Sequence, residues 1–196
     1  ARIRSGDATG RELCVQAANI ARALGDPSLL ALAGLAYGSV LVMLSVDSVM
    51  VGMLEDALAG MSPGDSPLRA RTMARLAAAR QPAEEGMARD MALALEAVAM
   101  ARRVADRRDL LGVLHSASGA LYGFAPPPVR LPITKEQERL AEELGDTTRL
   151  LHAKVRLAFD HLEMGDFASY GALADSYEKV AQRVGAAAEP WRASLM

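Results

Sequence analysis

A helix-start signal recurs along this chain at intervals of about 40 residues, a spacing that implies stacked helical repeats. Gly25-Asp26-Pro27 is followed by Gly64-Asp65-Ser66-Pro67, then Ala105-Asp106, Gly145-Asp146 and Gly185. Each residue type has a task. A glycine ends the preceding helix in the left-handed conformation, an aspartate or serine caps the next, and proline fits the first turn, where a missing N–H costs nothing. An Ala/Leu-rich segment follows each signal, over Leu29–Met43, Leu68–Arg80, Leu110–Tyr122 and Leu150–Glu163. A second helix is expected after each, near Ser48–Met61, Ala83–Val104, Thr134–Leu144 and Asp166–Val184. Gly10–Leu24 reads as the second helix of a repeat cut off upstream, and Trp191 onward as the start of another.

Apolar spacing in these segments is helical. Met91, Leu95, Val98, Arg102 and Ala105 share one face, as do Tyr170, Leu173, Tyr177 and Val180. One helix pair cannot bury such a stripe alone, so neighbours must stack in order. The expectation is an all-α fold, a right-handed superhelix of antiparallel helix hairpins with a concave face. It forms a single array over 1–196, with repeats near 25–63, 64–104, 105–144 and 145–184 and a partial repeat at each end. The chain is expected to be a piece of a longer polypeptide. One segment interrupts the pattern. Phe124 to Pro132 holds four prolines, each lacking a donor, and predicts an extended loop, with helix resuming at Thr134 in a capping box with Gln137. This Pro126–Pro132 loop reads as a repeat-specific insertion.

Composition supports the all-α reading, since 51% of the residues are apolar, only 4% are aromatic, and the strong helix formers dominate. Net charge is −2, with no Lys/Arg block to track a phosphate backbone, so direct nucleic-acid binding is not expected. Cys14 is the only cysteine, which rules out an intrachain disulfide and a Cys-based zinc site and fits a cytoplasmic location. The uncharged stretch from Pro27 to Val46 matches a membrane span in length. Gly34, Tyr37, Gly38, Ser39 and Ser45 interrupt it, and charged helices occupy the same slot later, so a buried repeat helix is the better reading.

These motifs resemble tetratricopeptide repeats. Gly34 with Tyr37, and Gly119 with Tyr122, look like the small-then-aromatic pair of a first helix, with Leu30 at its usual large position. Met164-Gly165-Asp166-Phe167 looks like the turn between two helices, and Tyr177-Glu178-Lys179 like the late second-helix motif. A closer resemblance rests on the phrases at 21–27, 54–58, 64–71, 140–146 and 162–167. These are similar to the C-terminal arrays of large bacterial ATP-binding regulators of LuxR-type or nucleotide-cyclase-linked architecture. That resemblance implies an array that senses a ligand or partner and restrains an upstream ATPase and an output domain.

Catalytic constellations are missing from the sequence. It has no phosphate-binding Gly-x-x-x-x-Gly-Lys-Ser/Thr loop, no Gly-x-Ser-x-Gly elbow and no His-Glu-x-x-His helix. Ser176 to Lys179 matches Ser-x-x-Lys without the companion motifs of that enzyme class. His161 with Asp160 and Glu163 reads as solvated surface rather than a metal site, and Met43, Met50, Met53 and Met61 as adaptable core. No enzyme activity, metal or cofactor is expected. The expected role is protein interaction and sensing, with first helices lining the concave face and Arg71, Arg75, His115, Lys154 and Arg156 as polar contacts to a protein, a peptide or other domains of the same polypeptide. The alternative is a small-molecule inducer site between repeats, near Tyr37, Tyr122 and the proline segment.

Overall fold

The computed structural model describes residues 9–38, 46–82 and 86–183. Nine α-helices and no strand occur among them: α1 (Thr9–Leu24), α2 (Pro27–Tyr37), α3 (Ser48–Gly60), α4 (Pro67–Ala79), α5 (Met87–Val104), α6 (Arg107–Leu121), α7 (Pro127–Leu144), α8 (Thr147–Glu163) and α9 (Phe167–Arg183). The sequence-predicted signals set the N-termini. Asp26 accepts hydrogen bonds from the amides of Ser28 and Leu29, with Pro27 in the first turn. Ser66 caps α4 through Arg69 N, Asp106 caps α6 through Arg108 N and Asp109 N, and Asp146 caps α8 through Arg149 N. Asp47 and Asp166 do the same for α3 and α9. Gly25 (φ +63°) and Gly145 (φ +67°) supply the left-handed turns that let one helix stop as the next begins. Gly64 does not take that role; α3 already ends at Gly60, with Met61 extended.

By packing, the chain divides into two compact units, Ala1–Ala120 and Leu121–Met196. In the first, α1 packs on α2, α2 on α3, α3 on α4 and α4 on α5, and α2 also reaches α4. Its core includes Leu30, Met53, Leu54 and Leu76 among many alanines, and Ala18, Ala31, Ala57, Ala74 and Ala97 have no exposed surface. In the second, α7 packs on α8 and α8 on α9, and Tyr177 is fully buried against Leu151 and Ala181. Met50 and Met53 are buried, as the core reading of the methionines expects. Among the described residues no helix is long and apolar enough to cross a membrane; part of the uncharged stretch, 39–45, lies outside them. Met43, Val184, Gly185 and Trp191 also lie outside the described residues.

Two expectations are corrected. The proline segment is not an extended loop: Pro126 stands at the N-cap in extended conformation, and α7 begins at Pro127. Its first turn needs no donors, so Pro127 and Pro128 cost nothing there, and Val129 N already bonds to the Pro126 carbonyl at 2.9 Å. Only Pro132 sits deeper, inside the helix. Thr134 consequently caps nothing. Its hydroxyl donates back to the Arg130 carbonyl at 3.1 Å, and Gln137 donates to the Arg149 carbonyl at 2.9 Å. On α5 the buried stripe runs through Asp90, Ala94, Ala97, Val98 and Ala101, whereas Leu95 and Arg102 are exposed. The small alanines pack closely on that side, and the larger Leu95 is left at the surface.

Candidate functional site

Three expected contact residues lie in the first unit. Arg71, on α4, pairs with Asp109 in the first turn of α6 at 3.0 Å and stays partly exposed. Arg75, one turn on, is buried at 7% exposure. Its guanidinium donates to the carbonyl of Gly38, at the end of α2, and lies 3.7 Å from the Met50 sulfur. A cation at the negative end of a helix is favourable, and here it caps α2 from inside the core. Among the described residues no carboxylate pairs with it to offset its desolvation, and burial draws the Arg75 pKa down to about 10. Arg75 therefore offers a partner little surface. His115 is half-buried on α6.

Tyr37 ends α2 and is buried, with the Arg11 guanidinium 5.0 Å from its ring centroid. Burial pushes the phenol pKa up, and a hydrogen bond with Asp47 adds to this. Tyr37 thus joins α1, α2 and the cap of α3.

Lys154 and Arg156 lie on α8 in the second unit, both half-buried and facing α7. Lys154 pairs with Glu138 at 2.8 Å, and Arg156 donates to the Gln137 side chain at 3.5 Å. Tyr122 is half-buried and meets Phe159 edge-on, with ring centroids 6.3 Å apart and planes at 70°. The Arg130 guanidinium stands 5.9 Å from the Tyr122 centroid. Burial raises the Tyr122 pKa.

Around Arg130 the structure assembles a cluster that the sequence reading did not find. Arg130, 3% exposed, pairs with the fully buried Asp160 and with Glu163, and donates to the Ala125 carbonyl. Burial raises the Asp160 pKa against the opposing pull of Arg130, and one Asp160 carboxylate oxygen is buried without a hydrogen bond. Asp160 faces inward, away from the grouping with His161 considered above; His161 instead meets Asp166, Nδ1 to Oδ2 at 3.0 Å. Among the described residues no cluster of His, Cys, Asp and Glu could hold a metal.

Arg71, Arg75, Lys154 and Arg156 thus have partners at the end of α2 and on α3, α6 and α7. A second feature is apolar: a groove of about 460 Å³ between α1 and α2, lined by Leu13, Cys14, Ile20, Leu29 and Leu32 with four alanines. Burial raises the Cys14 pKa. Compared with known proteins, the chain matches no family model, and no curated protein is significantly similar to it in sequence.

Proposed function

We propose that this chain is an interaction and sensing scaffold, a tetratricopeptide-like array of antiparallel hairpins wound as a right-handed superhelix within a multidomain bacterial signalling or transcriptional regulator. The observation that carries the reading is the order of packing. Each of α1 to α4 packs on the next helix in sequence, α2 also touches the helix two along, and α7, α8 and α9 follow in order. Sequential stacking of this kind is how repeat proteins share a core that no single hairpin supplies. Recurring Asp or Ser caps support it, because they restart a helix after each short turn. The scaffold works in the cytoplasm by binding a protein or peptide, or other domains of its own polypeptide, and has no catalytic role.

Partner contact on this reading falls on the half-exposed polar residues of α4, α6 and α8: Arg71, His115, Lys154 and Arg156. The test is a peptide-array screen with the purified chain, repeated with Arg71→Glu and Arg156→Glu. A selective peptide whose affinity falls about tenfold in either variant, with melting temperature unchanged, supports the scaffold role. Peptide binding indifferent to both substitutions would overturn this surface.

A further inference from the structure

Two pairs of arginines flank the turn between α5 and α6: Arg102 and Arg103 in the last turn of α5, Arg107 and Arg108 at the start of α6. Only Ala105 and Asp106 separate the two helices, and all four arginines are exposed. The start of α4 closes on the same place. Arg71 reaches Asp109 on α6 at 3.0 Å, and Asp65, just ahead of the α4 cap, takes Arg103 at 2.6 Å.

The carboxylates here are already engaged. Asp106 accepts from the amides of Arg108 and Asp109 as the cap of α6. Asp109 faces Arg71, and the hydrogen bond from Arg103 holds the Asp65 carboxyl below its usual pKa. Glu96, further back on α5, acts on Arg103 only through space. The five arginines outnumber these acidic groups, so the turn is positive in a chain whose net charge is −2. Such a surface attracts anions, and two features favour the carboxylates of a peptide over a phosphate backbone. Arg71 and Arg103 each hold an aspartate already, which shows that their guanidinium groups stand where a carboxylate can meet them. The arginines are also confined to one turn, whereas a nucleic acid needs a track of cations and would meet the negative charge of the rest of the chain.

We propose that the α5–α6 turn, with Arg71 beside it, captures an acidic peptide segment of the protein partner. This rests on the scaffold reading above and gives its partner a chemistry. Carboxylates of the segment meet Arg107 and Arg108, and they compete with Asp109 and Asp65 for Arg71 and Arg103, in pairs that solvent keeps weak.

The test uses the full chain and an array of short peptides, acidic, neutral and basic in equal number, with a labelled DNA duplex in parallel. Acidic peptides should bind selectively, and their affinity should fall as salt is raised. Arg107→Glu combined with Arg108→Glu should weaken them about tenfold with the melting temperature unchanged, since the dipole of α6 favours acidic residues in its first turn. Arg103→Gln should weaken them about threefold and carries the test if the double variant fails to fold. Lys179→Glu, at an exposed position on α9, also makes the chain more acidic and should leave binding as it is. Selective binding of neutral or basic peptides would overturn the acidic partner while leaving the scaffold reading in place; an array that binds nothing would overturn both. Equal binding of acidic peptides to the folded variants, an equal loss in Lys179→Glu, or tighter binding of the duplex would each overturn the proposal.

Discussion

Asp160 belongs to the same helical stripe as Leu150, Ala153 and Leu157, where spacing calls for an apolar side chain. A carboxylate persists there because Arg130 reaches it from α7 through Nε, while the Ala125 carbonyl and Glu163 accept from the two terminal guanidinium nitrogens. Removing Asp160 takes from Arg130 its buried carboxylate and leaves only Glu163, which is half exposed, to offset the charge. Asp160→Ala should destabilise the second unit by about 3 kcal/mol, whereas Asp160→Leu combined with Arg130→Met should recover most of that loss. Urea denaturation of the single and double variants, with hydrogen exchange of the α8 and α9 amides, checks this. The sequence reading set Asp160 on a solvated surface with His161 and Glu163, whereas the fold buries it, and its partner was not legible either. Arg130 lies 30 residues away, inside a segment that the prolines marked as non-helical, and helical period says nothing about which helix faces which. Arg75 went the same way: its spacing marks a first-helix position, but only the fold brings the Gly38 carbonyl to it.

At the level of elements, the caps carried most of the information. An aspartate or serine that accepts from amides two or three residues on fixes a helix start from local chemistry alone, so α2, α4, α6, α8 and α9 begin within a few residues of their sequence-predicted positions. The fault came at α7, where four prolines were weighed as equal breakers. Three of them fall at the N-cap and first turn, where helices have free donors in any case. Pro132 alone removes an internal bond, to the Pro128 carbonyl, and it is exposed. Pro132→Ala should therefore stabilise α7 by about 2 kcal/mol, read as a shift in the thermal or urea midpoint. No shift, or a loss, would mean that the ring is needed where it stands. The open groove on α1 and α2 was missed for a different reason: an exposed apolar stripe and a buried one have the same period, and only packing tells them apart.

Over the molecule as a whole, alanine is the commonest buried apolar residue among the described residues, packed between leucines, methionines and a few others such as Val98, Ile133 and Tyr177. A larger side chain at a fully buried alanine has no free volume to enter and must push its neighbours aside. Ala74→Leu, at a position with no exposed surface, should cost about 2 kcal/mol, while Ala17→Leu, on the open side of α1, should change stability by less than about 0.5 kcal/mol. Differential scanning calorimetry of the two variants separates these outcomes. Where alanine methyls form the contact, the distance between neighbouring helix axes is set by main chain against main chain. Each methyl then works as a spacer of fixed thickness, and the surface that such helices offer a visitor is held to a tolerance that longer, rotatable side chains would not keep.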